Sequence, residues 1–195
     1  MSELKRLDLG CGPNKRGPEW IGVDCRPFDG KVDVVLDLSE KHSYDVPDGN
    51  GGILHRVGDW KAWPWEDNSV DEACSSHFVE HLTANERIHF VNELYRVLKP
   101  KGQCQIIVPH WASCRAYGDL THQWPPVSEF WFYYLSKEWR AANAPHNDGY
   151  TCDFDATWGY SFHPMLMVRN QEFQQFAMQF YKEACQDIIC TLTKK

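Results

Sequence analysis

Leu7-Asp8-Leu9-Gly10-Cys11-Gly12 reads as a short buried strand running into a glycine turn. Glycines at 10 and 12 let the backbone bend sharply and approach a ligand closely. The amides that follow, and the start of the next helix, suit an anionic group such as a carboxylate. Ile21-Gly22-Val23-Asp24 is a second short strand that ends in an acid, sixteen residues after Asp8. A carboxylate in that place can accept both hydroxyls of a ribose, each bond contributing about 1.5–3 kcal/mol. The plainer reading, a turn residue before Pro27, is the weaker one.

Outward from this pair the rhythm continues. Val32 to Leu38 (VDVVLDL) is a third strand, and Val70 to Ser76 a fourth, entered through Glu66-Asp67-Asn68-Ser69. Gln103 to Val108 is a fifth, stopped by Pro109. Helical patterns fill the intervals, which predicts a mostly parallel sheet with helices on both faces. The clearest helix is Thr83 to Leu98. Thr83 and Glu86 have capping-box spacing, and Ile88, Val91, Leu94, Tyr95 and Leu98 form one stripe. Further helices are expected from Ser128 to about Ala142 and from about Asn170 to Ala184. In the second, Phe173, Phe176, Ala177 and Phe180 form a core face. Asp187 to Thr193 reads as an antiparallel closing strand with Thr157 to Phe162 as its partner. Residues 39–60 break the rhythm with Asp45-Val46-Pro47-Asp48-Gly49-Asn50-Gly51-Gly52, a turn-rich surface insertion. It is either a tolerated loop or a flap beside the ligand.

The 195 residues suit one domain spanning 1–195, and 43% apolar content can fill its core. A net charge of -7 argues against a duplex-DNA partner. Cysteines 11, 25, 74, 104, 114, 152, 185 and 190 are scattered without a CxxC pair. They predict reduced thiols in a cytosolic chain and no zinc ribbon. Residues 1–6 are polar and give no signal-peptide pattern, and no apolar run has membrane-spanning length. The expectation is a cytoplasmic protein without a membrane partner; the sequence leaves its oligomeric state open.

Nicotinamide and methyl-donor proteins share this layout. A dinucleotide site wants G-x-G-x-x-G, but Gly12 is followed by Pro13-Asn14-Lys15-Arg16-Gly17, which displaces the third glycine. Asp8 would also repel a pyrophosphate and favour a ligand carrying an ammonium and a sulfonium. The charge argument points to S-adenosylmethionine.

The chain resembles the class I S-adenosylmethionine-dependent methyltransferases in LDLGCG (7–12), IGVD (21–24), VDVVLDL (32–38), WPWEDNSVDEACSSHFVEHL (63–82) and ELYRVLKPKG (93–102). The stretches DLTHQWPPVSEFWFYYLSKEWRAAN (119–143) and CDFDATWGYS (152–161) look like a small methyltransferase group common in bacteriophages, which would place the enzyme in a host cytoplasm. The resemblance implies a Rossmann-like fold with S-adenosylmethionine as cofactor. Gly10, Cys11 and Gly12 would lie against its methionine part, with Asp8 near the amino group. Asp24 would hold the ribose, with Cys25 and Arg26 near the adenine. Asp37, next to Leu38, ends the third strand and would meet the adenine amino group; Asp59-Trp60, at the family's spacing from Pro64, competes for that role. His77 would face the sulfonium and methyl group.

Methyl transfer from a sulfonium is an in-line displacement, so the protein mainly aligns the acceptor and excludes water. A base beyond the carboxyl ends of strands four and five would help some acceptors. His77, His110, Asp119 and His122 fall there, and His110, Asp119 and His122 are the catalytic candidates. His110 alone could equally be a loop histidine. The three could also form a two-histidine, one-carboxylate metal site, but spacing across a loop is thin support and no metal is expected. His81 and His89 lack the i, i+4 zinc spacing and read as packing or solvent contacts. Region 109–162 is the acceptor region, with Arg115, Tyr117, Trp124 and Arg140 as substrate-binding candidates. Its aromatics can fill core or form a flat pocket. Ser75-Ser76-His77-Phe78 stands where enzymes that methylate exocyclic amines of DNA bases carry [DN]-P-P-[YFW], and there is no Pro-Cys pair. The favoured acceptor is an oxygen or nitrogen of a small or nucleotide-like molecule. Alternatives are nucleic-acid or protein methylation, a non-catalytic cofactor-binding protein, or a nicotinamide oxidoreductase.

Overall fold

A computed structural model describes residues 4–47 and 53–195. In chain order the elements are β1 (Arg6–Leu9), β2 (Ile21–Asp24), β3 (Val34–Val35), β4 (Lys41–Pro47), β5 (Ile53–Trp60), β6 (Val70–Ser76), α1 (Ala84–Val97) and β7 (Leu98–Pro109). They continue with α2 (Arg115–Gly118), α3 (Glu129–Tyr133), α4 (Lys137–Asn143), β8 (Phe154–Phe162), α5 (Pro164–Met167), α6 (Gln171–Phe180) and β9 (Cys185–Lys194).

Seven strands form one sheet in the order β3-β2-β1-β6-β7-β9-β8. The first five pair in parallel, while β9 runs antiparallel to both β7 and β8. This is the Rossmann-like α/β architecture with an antiparallel C-terminal strand. β1 lies between β2 and β6, where the strand order reverses. Ligands of open α/β sheets bind in the crevice at that point. Leu7, Leu9, Val23, Ile106 and Val108 of the sheet are buried together with Phe90 and Leu94 of α1.

α1 forms where its cap predicts: the Thr83 amide donates to Glu86 Oε2 at 2.7 Å. Phe90 and Val97 widen its buried stripe. Lys194, near the end of β9, lays its ammonium on the Tyr95 and Leu98 carbonyls at 2.5 and 2.8 Å, satisfying groups the helix end leaves open.

Other expectations are corrected. Residues 10–20 and 25–33 contain no α-helix, so the β1–β2 and β2–β3 crossovers are turns. Gly10, Gly12, Pro13, Gly17 and Pro18 leave no uninterrupted helical stretch in the first. β3 is shorter than 32–38 because Asp33 turns its carboxylate onto the Gly22 amide at 2.7 Å, taking a ladder position with a side chain. The helix expected over 128–142 is split into α3 and α4. Ser136 starts the second as an N-cap, accepting from the Trp139 amide at 3.4 Å.

The phenylalanines of α6 are not core. Phe173, Phe176 and Phe180 are 41%, 48% and 66% exposed, and of that face Ala177 alone is buried. Periodicity defines a face but not what it meets; here Phe176 stacks on Phe180 with centroids 4.8 Å apart.

The 39–60 insertion is an antiparallel hairpin of β4 and β5, not a loop. Residues 48–52, with most of the turn-rich stretch of the sequence, lie outside the described residues. The hairpin's ends meet: the Lys61 amide donates to the Glu40 carbonyl at 2.9 Å, and Trp63 Nε1 to the Leu38 carbonyl at 3.2 Å. The chain therefore resumes its course where it left the main sheet. Among the described residues no helix is long and apolar enough to cross a membrane. All eight cysteines are unpaired.

Candidate functional site

The glycine turn leaves β1 with Gly10 and Gly12 at φ 71° and 57°, conformations that disfavour other residues. The Gly10 and Cys11 amides both donate to the Val23 carbonyl, which ties the turn to β2. At Gly10 a Cβ would stand 2.3 Å from Phe78 Cγ, whereas at Gly12 a Cβ would meet nothing within 4 Å. The first glycine is therefore required by packing, and the second borders open space.

Asp24 joins this turn. Its Oδ2 accepts from the Gly12 amide at 3.0 Å and its Oδ1 from the Arg26 amide at 3.1 Å. An ionised carboxylate has about four acceptor sites, so capacity remains for a ligand hydroxyl. Asp8 is a brace: Oδ2 accepts from the Arg16 amide at 2.7 Å and Oδ1 from Cys74 Sγ at 3.2 Å. Burial, then the Asp8 and Asp24 charges, push the Cys11 thiol up to about 11, so it stays protonated. Burial, then Asp24, also raises the Cys25 thiol.

The two acids that compete for the next position are set apart: Asp37 lies two residues beyond the end of β3 rather than on it, and Asp59 lies on the separate hairpin. The Leu36 amide donates to the Asp24 carbonyl, which carries exposed Asp37 out beside Asp24 at the sheet edge. Asp37 Oδ1 accepts from the Ser39 amide and hydroxyl at 2.9 and 2.8 Å, and Leu38 is buried. Asp59 is exposed on the hairpin strand β5. Trp60 beside it stacks on His89 of α1, with centroids 5.0 Å apart, beneath the Lys41 ammonium.

Two clefts adjoin the sheet's carboxyl edge. One, of about 550 Å³, is lined by Asp8, Gly10, Cys11, Asn14, Arg16 and the β6 end down to His77. The other, of about 700 Å³, is lined by His77, Glu80, His81, Arg115, Asp119 and His122. His77 is a wall of both. It sits at φ 53° just past β6, and its amide donates to the Ile107 carbonyl of β7. Its Nδ1 lies 3.3 Å from Glu80 Oε1 and its Nε2 3.9 Å from Asp187 Oδ1. The Glu80 contact is the main cause of its raised pKa, against the opposing effect of burial.

Asp119, His122 and Arg115 come together in the second cleft; His110 does not line it. His110 is 2% exposed, and its Nδ1 accepts from the Ala112 amide while Nε2 donates to Glu129 at 3.1 Å. Both ring nitrogens are thus engaged within the fold. Arg140 is also buried, donating to the carbonyls of Tyr134, Tyr150 and Cys152. It braces α4 rather than facing a cleft. Arg115 pairs with Asp187 at 3.0 Å. Tyr117 lines a separate cleft of about 440 Å³ with Trp111 and Phe180, and Trp124 is 77% exposed. The sequence reading missed Glu80, buried beside His77, and Asp187, which β9 delivers from far along the chain. An acid beside two histidines just after strand four was the available signal for Glu80.

Residues 7–106 match the family described as methyltransferase domain. The chain belongs to this family. Two curated relatives bear this out. It is 35% identical over 102 residues to an uncharacterized methyltransferase of Schizosaccharomyces pombe, covering 52% of this chain and 37% of that protein. It is 30% identical over 142 residues to the tRNA (carboxymethyluridine(34)-5-O)-methyltransferase of Arabidopsis thaliana, covering 72% of this chain and 31% of that one. The chain thus spans about a third of the length of these relatives. Among solved structures, a SAM-dependent methyltransferase from Archaeoglobus fulgidus superposes with a TM-score of 0.61 at 19% identity, covering 98% of this chain and 86% of that one, a likeness of fold. The chain thus carries a class I methyltransferase domain, whose methyl donor is S-adenosylmethionine.

Proposed function

We propose that this domain transfers the methyl group of S-adenosylmethionine to an oxygen or nitrogen atom of a small-molecule or nucleotide-like acceptor. The observation that carries this reading is His77, shared between the glycine-turn cleft and the cleft that holds Asp119 and His122.

The residues present fit the donor. Gly12 borders open space where any side chain would intrude, and Asp24 keeps acceptor capacity for ribose hydroxyls beside it. Gly10, Cys11 and Gly12 would hold the methionine part, with Asp8 fixing the turn from beneath. Asp37 and Cys25 would border the adenine. S-adenosylmethionine brings a methyl group already activated on sulfur. The chain's task is then to hold the acceptor in line and keep water out. His122 and Asp119, at the second cleft, would orient the acceptor and receive its proton.

The name of the Arabidopsis relative, a tRNA (carboxymethyluridine(34)-5-O)-methyltransferase, supports O-methylation of a modified nucleoside and gives weight to RNA as the second reading. A long polymer is less favoured, because Arg140 is spent on backbone carbonyls and Arg115 on Asp187. The test is turnover of labelled S-adenosylmethionine with nucleosides, nucleotides, RNA and small phenols or amines. Methylation of a soluble nucleoside or small molecule at O or N supports the reading. Methylation confined to protein, or to carbon, contradicts it.

A further inference from the structure

We infer that Glu80, His81 and His122 form a binding site for one divalent first-row transition-metal ion. One ligand atom from each lies within 4.8 Å of the others. Glu80 is 4% exposed; both its carboxylate oxygens are sealed from solvent, and neither receives a hydrogen bond. His77 Nδ1 faces Oε1 at 3.3 Å as its ion-pair partner, and no partner reaches Oε2. A buried carboxylate with one oxygen unpartnered is costly, and a cation on that oxygen would offset the cost.

The hydrogen bonds around the histidines point the same way. His122 Nδ1 contacts the Ala116 carbonyl at 3.2 Å, and a carbonyl only accepts, so the proton is on Nδ1. The Thr121 hydroxyl donates to Asp119 Oδ1 at 2.7 Å, so toward His81 Nδ1, at 2.8 Å, it can only accept. In the neutral form both rings then carry the proton on Nδ1 and keep the Nε2 lone pair. Metal-binding histidines are held in this way, with Nδ1 on an oxygen acceptor and Nε2 left to serve as the ligand. The Gln123 amide donates to the Glu80 carbonyl at 2.8 Å, locking the two ligand-bearing segments together. Two imidazoles and one carboxylate suit zinc, iron, cobalt or manganese and leave coordination positions open.

These ligands replace the His110, Asp119 and His122 set that spacing alone permitted: His110 is elsewhere, and Asp119 supports His81 through Thr121. In the cleft beside His77 the ion would hold an acceptor oxygen and lower its proton affinity; with Nε2 on the ion His122 would position the acceptor, and the proton would pass to Asp119 or to solvent. That role rests on the methyl-transfer reading; the site does not.

The test is titration of the untagged, chelator-stripped full chain with cobalt(II), followed by visible absorption. The result expected is one equivalent with d–d bands and no thiolate charge-transfer band. His81→Ala and His122→Ala should each weaken binding about tenfold or more, while Cys114→Ser leaves it unchanged. Histidine-ring NMR of the metal-free chain should show Nδ1-protonated His81 and His122. Binding undiminished in both histidine variants, or no d–d band at millimolar cobalt with folded protein, overturns the proposal. Cobalt binding by a chain that gives no heat with S-adenosylmethionine supports the site and removes only its role in methyl transfer.

Discussion

The Gly12 amide donates to the Asp24 carboxylate across 3.0 Å, so the turn after β1 and the acid ending β2 are one unit. The contact aims a charged acceptor at the open space beside Gly12. Asp24→Asn keeps the shape but loses the charge and replaces one acceptor oxygen with an NH2 donor. S-adenosylmethionine affinity should fall about 10- to 100-fold, the equivalent of one charged hydrogen bond. Calorimetric titration of the variant, with its melting temperature as a folding control, checks this.

The two glycines should separate stability from binding. Gly10→Ala meets both a positive φ and the Phe78 ring, so thermal stability should drop by more than the ~1–2 kcal/mol of the backbone alone. Gly12→Ala carries the backbone cost but no clash. Its stability loss should be the smaller, and its cofactor affinity should fall because the methyl group enters the open space. Paired melts and binding isotherms read the contrast.

His110 and His122 should behave differently, although the sequence offers them as equals. His110→Gln disturbs a buried pair with Glu129 and should cost about 1.5–3 kcal/mol of stability, with turnover per folded molecule little changed. His122→Ala should leave the melt nearly unchanged and lower kcat about 100-fold. Denaturant unfolding beside kinetics of each variant decides it.

Near pH 6.5 two histidines act in opposite directions: burial depresses His89, which costs stability on acidification, while Glu80 raises His77, which adds it. The decline that acidification should show therefore comes from Glu93. Burial alone would raise Glu93, but Arg96 and the Trp63 amide outweigh it and hold the carboxyl below its ordinary value of 4.5. The stability Glu93 contributes is present above that value and is lost as pH falls through the folded pKa. Glu93→Gln should lower the melting temperature at pH 7 and flatten its decline below about pH 4.5. Melts from pH 7.5 to 3.5 on both proteins test the sign.

Much of the sheet was legible because its strands are short apolar runs closed by turn residues, as at Leu9-Gly10 and Val108-Pro109. α1 was legible for a similar reason: Thr83 and Glu86 announce its start. The absence of a first helix is hard to read from the sequence, because a glycine turn after a strand ordinarily feeds one; Pro13 and Pro18 are its signs. The face of α6 showed its period but not its exposure, since Phe173 and Phe180 would read the same against a core. At the site, local pairs such as Gly12 and Asp24 could be read from spacing. The Asp187 partner of His77 could not, because it arrives only through the antiparallel return of β9. His110 and His122 differ in how many of their ring nitrogens the fold occupies, two against one, which no spacing reveals.

The central claim, that the glycine turn and Asp24 clasp S-adenosylmethionine, is tested most directly by isothermal calorimetry of the folded chain with that compound and with S-adenosylhomocysteine. The account predicts saturable binding of both at one site, weakened at least tenfold in Asp24→Asn. Well-folded protein that gives no heat with either compound, or an Asp24→Asn variant that binds as tightly as the parent, would contradict it.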